Sequence, residues 1–100
     1  MSYKYTFVLG KFDDMIYISH LDLIRLLGRA ARRAQIKVEL SKGFSPHQKI
    51  KMKKALKLGV VSEHEEGEVI LSEFLESSDV MCRWQKELPF GIKVKEVKLC

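Results

Sequence analysis

The sequence predicts an α+β domain: a ferredoxin-like βαββαβ sandwich, with an antiparallel sheet and both helices on one of its faces. Three observations lead there. Residues 3–9, YKYTFVL, and 92–99, IKVKEVKL, carry strand patterns near the two ends of the chain. Residues 20–34 and 80–88 carry apolar side chains at helical spacing. The elements follow in the order β-α-β-(β)-β-α-β, which two right-handed crossovers interleave on one sheet. An α+β sheet with another strand order is the second arrangement that the pattern allows.

The elements can be justified in turn. In 3–9, Tyr3, Tyr5, Phe7 and Leu9 share one face, and Lys4, Thr6 and Val8 share the other. Residues 10–14 read as a polar turn, and 15–18 as a short apolar run. Ser19 reads as a helix N-cap, with Asp22 three residues on as an acidic variant of the capping box. The helix runs to about Ala34. Leu23, Ile24, Leu27, Ala30, Ala31 and Ala34 form its apolar face. Arg25, Arg29, Arg32 and Arg33 fall opposite, within an arc of about 100°. Gly28 lies at the boundary and suggests a close approach by another backbone.

The spacing then predicts a strand over 36–40, a Gly/Pro loop over 41–49 and an irregular strand or arm over 50–58. In the arm, Ile50, Met52, Ala55, Leu56 and Leu58 alternate loosely among lysines. An acidic turn with His64 follows over 59–67, and a strand over 68–74. Residues 77–79, Ser-Ser-Asp, cap a second helix with Val80, Met81, Trp84 and Leu88 inward. Pro89-Phe90-Gly91 stops it, and in the last strand Ile92 and Val94 face in.

One hundred residues form one domain, 1–100. No run approaches the ~18 apolar residues of a membrane span, and the first ten residues lack a signal-peptide core. A cytoplasmic protein without a membrane role is expected. Cys82 and Cys100 read as free thiols, one packed and one exposed, and the chain has no CxxC. No cofactor or metal is expected. Residues 1–60 hold 13 Lys/Arg against 4 Asp/Glu, a balance of +9; residues 61–100 hold 5 against 9, a balance of −4. Such a split points to an anionic partner met by one face, or to halves that neutralise each other.

The arginine stripe suits phosphate, because guanidinium is a planar, permanently charged fork. With Lys37, Lys42 and the lysines of 49–57 it forms a candidate RNA-backbone surface. Arg29, Arg32 and Arg33 have no acidic neighbour at i,i+4. The loop SKGFSPH presents Lys42, Gly43 and Phe44: its backbone N–H groups could meet an anion. Phe44 could stack on a base or pin the loop to the core. It is not a Walker A loop. His20, Asp22 and His47 are the residues from which an acid–base pair or metal site would be built. His64 reads as surface.

Residues 17–34, YISHLDLIRLLGRAARRA, followed by SKGFSPHQKI at 41–50 and LKLGVVSEHE at 56–65, resemble one family, the radical SAM-linked DUF2344 domains. That family pairs a Ser-His-Leu-Asp helix start with an arginine-rich helix, a GF-[NS]-PH-P loop and a Pro-Leu-x-x-Gly-x-x-Ser segment. The resemblance spans roughly residues 3–98. It implies that Ser19, His20, Asp22, Arg25, Gly43, Phe44, Pro46, His47, Gly59 and Ser62 are the motif positions. It also implies a radical SAM protein as partner, fused or encoded nearby. Gln48 replaces the loop's second proline, and Lys57 or its neighbours a proline-rich approach to Gly59. Family members are commonly longer, which leaves open that these residues are the N-terminal part of a longer domain. The chain has only two cysteines, short of the triad that holds a radical SAM cluster.

Three functions compete. One is a non-catalytic module that binds tRNA or rRNA through Arg25, Arg29, Arg32, Arg33, Lys42, Gly43, Phe44 and Lys49 for a radical SAM enzyme. Another is a metal-independent endoribonuclease resembling CRISPR repeat-processing enzymes. There His20 would be the general base, and Lys42 or Lys49 would stabilise the phosphorane. The third is a protein–protein docking domain that uses the arginine face.

Overall fold

A computed structural model describes residues 2–55 and 57–100. Leu56, expected in the arm, lies outside them. The strands are β1 (Tyr3–Lys11), β2 (Ile50–Met52), β3 (Ser62–Leu71) and β4 (Ile92–Leu99). The helices are α1 (His20–Arg33), after β1, and α2 (Ser77–Glu87), after β3. The result is an α+β fold with a four-stranded antiparallel sheet in the order β2-β3-β1-β4.

The alternation in β1 sets the layers. Tyr5, Phe7 and Leu9 are buried, and the register puts Val69 beside Tyr5 and Gly67 beside Phe7. Leu23, Leu27, Ala30 and Ala31 of α1 and Val80 and Trp84 of α2 complete the same core. α1 packs on α2 and β2, and α2 on β4. Trp84 joins the layers: its ring meets Phe7 edge-on with centroids 5.1 Å apart, and its indole N–H donates to the Leu27 carbonyl at 3.0 Å. Ser19 caps α1 as expected, its hydroxyl accepting from the Asp22 N–H at 3.1 Å.

Several expectations are corrected. Residues 36–40 form no strand, only the isolated bridges Val38–Leu71 and Leu40–Gln48. Ile70 on β3 explains this by dividing its backbone groups. Its carbonyl accepts from Glu39 at 2.8 Å, and its N–H donates to Lys49 at 3.1 Å. Neither segment gains a continuous ladder there. The arm contributes only the three residues of β2.

Residues 62–67 of the expected acidic turn are instead the start of β3, and on that strand Glu66 and Glu68 take the open face. On that face Lys4, Lys51 and Lys53 neutralise them. β3 ends at Leu71, earlier than expected. The polar turn is shorter because β1 runs to Lys11, and the apolar run after it lies in a 3-10 helix, Asp13–Tyr17. Residues 77–79 are the first turn of α2 rather than its cap. The cap is Glu76, which makes no capping side-chain bond. Cys82 is exposed, as is Cys100. Gly28 admits a side chain and not a backbone. A Cβ there would lie 2.2 Å from Gln48 Oε1, and Gln48 Nε2 donates to the Gly28 carbonyl at 3.3 Å.

Gly67 makes the room that the Phe7 ring occupies. An added Cβ would stand 2.4 Å from Phe7 Cζ and 2.8 Å from the Lys51 carbonyl oxygen, and the carbonyl belongs to a paired strand. Gly67→Ala should therefore cost about 1–3 kcal/mol by overpacking. Urea unfolding measures it; an unchanged midpoint would mean that β2 yields freely at this point.

Candidate nucleic-acid interface

The polar side of α1 is an arginine stripe whose members differ in their bonding. At the first turn, Arg25 meets Asp22 at 3.5 Å, with both side chains largely exposed. At the last turn, Arg33 reaches α2: its Nε lies 3.3 Å from Glu87 Oε1, and its Nη2 donates to the Glu87 carbonyl at 2.9 Å. Arg33 thus ties the two helices together, a partner that i,i+4 spacing along one helix could not disclose. Arg29 and Arg32 are exposed and make no ion pair among the described residues.

The Gly/Pro loop leaves the body beside α1. Its root is closed by the Ser41 N–H donating to the His47 carbonyl at 2.8 Å and the His47 N–H donating to Ser41 Oγ at 3.1 Å. Leu40 bridges to Gln48, whose carboxamide seats on Gly28. From that root, residues 42–46 project into solvent. Gly43 takes φ 130°, a conformation L side chains rarely adopt, and a Cβ there would meet nothing within 4 Å. Phe44 is fully exposed, so it does not pin the loop to the core. Lys42 is exposed and makes no ion pair among the described residues.

Four of the other expected cations are engaged, while Lys54 and Lys57 make no ion pair among the described residues. Lys49 lies 2.9 Å from Glu39, Lys37 3.0 Å from Glu73, Lys51 3.4 Å from Glu68 and Lys53 3.7 Å from Glu66. Hydrogen bonds from Ser2 and then Lys49 hold the Glu39 carboxyl below the usual glutamate range. Burial pushes the Glu68 carboxyl up, but hydrogen bonds from Lys4 and Lys51 outweigh it and hold the group below its ordinary value.

No hydrogen bond or ion pair joins His20, Asp22 and His47 to one another among the described residues. Asp22 is paired with Arg25, and the exposed His47 has its Nδ1 3.1 Å from the Ser45 carbonyl. His20 Nδ1 is buried and without a hydrogen-bond partner. Among the described residues, no three His, Cys, Asp or Glu side chains are gathered as metal ligands. His64 is exposed, with Nε2 3.5 Å from Glu66 Oε1.

Sequence reasoning missed Lys11. It is buried, and its ammonium donates to the Ile16 carbonyl at 3.4 Å and to the Lys57 carbonyl. With the Gly59 N–H donating to the Ile16 carbonyl at 2.7 Å, this fastens 57–59 to the 3-10 helix. The signal was there: Lys11 continues the odd-numbered inward series Tyr5, Phe7, Leu9. Also missed was a groove of about 580 Å³ at the C-terminal end of α1. Its lining includes Arg32 of α1, Gln48 and Arg83 of α2.

The Glu39 carboxylate stabilises the fold above its unfolded pKa, and that contribution is lost as pH falls through its lowered folded value. The loss lies below the ordinary value of 4.5. Lys49→Met should move the Glu39 midpoint up toward 4.5 in a side-chain carboxyl NMR titration. An unmoved midpoint would free Lys49 for the interface.

No curated protein matches the chain. A family model described as an uncharacterized protein conserved in bacteria, DUF2344, matches residues 4–100. That match takes in α1 with its cap and arginines, the projecting loop and the whole sheet almost from its first residue, and the chain belongs to the DUF2344 family.

Proposed function

We propose that this chain is a non-catalytic, cytoplasmic module that binds structured RNA, tRNA or rRNA, on behalf of a radical SAM enzyme. One observation carries the RNA part: Arg29 and Arg32 are exposed without carboxylate partners, on the helix beside which a loop bearing Lys42 and an exposed Phe44 projects. Unpaired guanidiniums suit phosphate, and an aromatic ring in solvent suits a base. The radical SAM partnership rests on the resemblance of the Ser-His-Leu-Asp and Gly-Phe-Ser-Pro-His motifs. No helix among the described residues is long and apolar enough to cross a membrane. The ferredoxin-like sandwich belongs to the same reading, supported by two helices contributing to one core against one sheet face.

The paired lysines bound the strength of binding. With Arg29, Arg32 and Lys42 as the phosphate contacts, log K should fall with log salt at a slope of about −2 to −3. Fluorescence anisotropy with labelled bulk tRNA tests this. Arg29→Glu/Arg32→Glu should weaken binding by at least tenfold, while Lys51→Ala should leave it within about twofold. Absence of wild-type binding at low salt overturns the reading in favour of protein docking. Cleavage of the probe would favour the endoribonuclease, with His20→Ala as its control.

A further inference from the structure

The groove at the end of α1 has a character that the stripe lacks. Arg32 from α1 and Arg83 from α2 border it, and neither makes an ion pair among the described residues. Arg83 is half-buried, and no carboxylate pairs with it among the described residues. Glu73, the acid in the lining, is already held by Lys37 at 3.0 Å. With that pair neutral, the two arginines leave the groove a balance of +2.

Between the arginines the wall is apolar and fixed. Leu40 is a large apolar side chain left mostly exposed. Leu75 is held by Tyr5, whose hydroxyl donates to its carbonyl at 2.6 Å and accepts from its N–H at 3.0 Å. Gln35 and Gln48 add carboxamides. Gln35 sits just past the helix at φ 60°, where glycine would be the less strained residue, and its carboxamide has no hydrogen-bond partner among the described residues. A volume of about 580 Å³ lies within the usual range of small-molecule sites.

We propose that this groove seats one unpaired nucleotide of RNA, its phosphate between Arg32 and Arg83, its base against Leu40 and Leu75. The proposal rests on the RNA reading above and narrows it. Cation, apolar wall and carboxamides together match a nucleotide, which is phosphate, flat ring and hydrogen-bonding edge in one ligand. A duplex offers phosphates, but its base faces are stacked inside, so the wall would have nothing to cover. The loop root supplies Leu40 and Gln48, which places the exposed Phe44 loop on the path of the neighbouring nucleotides.

The test uses the whole chain, with ¹H–¹⁵N NMR that includes arginine Nε–H signals. The probes are AMP, adenosine, inorganic phosphate, a ten-nucleotide oligo(A) and the same strand in duplex. AMP should shift Arg32, Arg83 and Gln35 together, and bind at least fivefold more tightly than adenosine or phosphate. Oligo(A) should bind at least fivefold more tightly than its duplex. Arg83→Gln and Leu40→Ser, both at solvent-accessible positions, should each weaken AMP and oligo(A) by at least fivefold, with thermal unfolding as the folding control. If bulk tRNA binds through Arg29 and Arg32 while both variants behave as wild type, the groove proposal is overturned and the RNA reading stands. If AMP occupies the groove while no RNA binds, RNA is excluded as the source and the RNA reading falls with it. Phosphate binding as tight as AMP removes the base from the proposal and overturns it.

Discussion

The indole of Trp84, wedged between the Phe7 ring and the backbone of α1, couples the sheet to both helices. Its apolar surface is covered by the core, and its one polar group is satisfied by the Leu27 carbonyl of α1. The arrangement depends on Gly67, because the Phe7 ring reaches this position by lying over a strand residue without a side chain. Everything functional hangs from that joint. It sets where α1 lies, hence which side of α1 faces water, and it sets the distance between α1 and α2 that Arg33 and Glu87 span.

Charge follows from the same geometry. The basic first part and acidic latter part of the chain meet in the sheet, where β3 lies between β1 and β2. Lys4, Lys51 and Lys53 therefore face Glu66 and Glu68 on the open side. Such exposed pairs contribute little stability each, but they remove most of the lysine arm from the pool of cations available to an anion. The cations without an ion pair among the described residues include Arg29, Arg32, Lys42 and Arg83, alongside Lys54, Lys57, Lys86, Lys93 and Lys95. Part of the charge asymmetry is thus internal compensation within the sheet.

The opposite end of α1 is built differently. Ser19 caps the helix, His20 buries a nitrogen without a partner among the described residues, and Lys11, from the expected polar turn, holds two backbone carbonyls. These groups organise backbone, binding the 3-10 helix and residues 57–59 to the sheet. A buried ammonium is costly unless its hydrogen bonds are met, and here backbone carbonyls meet two of them. Of the motif positions, Gly59 takes part in this fastening, while Arg29 and Arg32 lie further along the helix.

Local patterns were enough to read β1, α1 with its cap, the inward stripe of α2 and β4. Each has a period or a cap written in consecutive residues, and each buries most of the residues that the period selects, with Tyr3, Ile24, Ala34 and Met81 partly buried at the margin. They were not enough for 36–40 and 59–67. Residues 36–40 are strand-like in type, but the strand edge that would pair with them is divided at Ile70. Residues 59–67 have the composition of an acidic turn, and only pairing with β1 and β2, distant in the chain, makes 62–67 part of a sheet. The site divides in the same way. That arginines line one side of a helix, and that a glycine-containing loop carries a phenylalanine, is determined by the sequence. Which arginines are left free, that Phe44 reaches solvent, and that Arg83 comes to border a groove with Arg32 were decided only by the tertiary structure, because ion pairing and burial depend on neighbours distant in the chain.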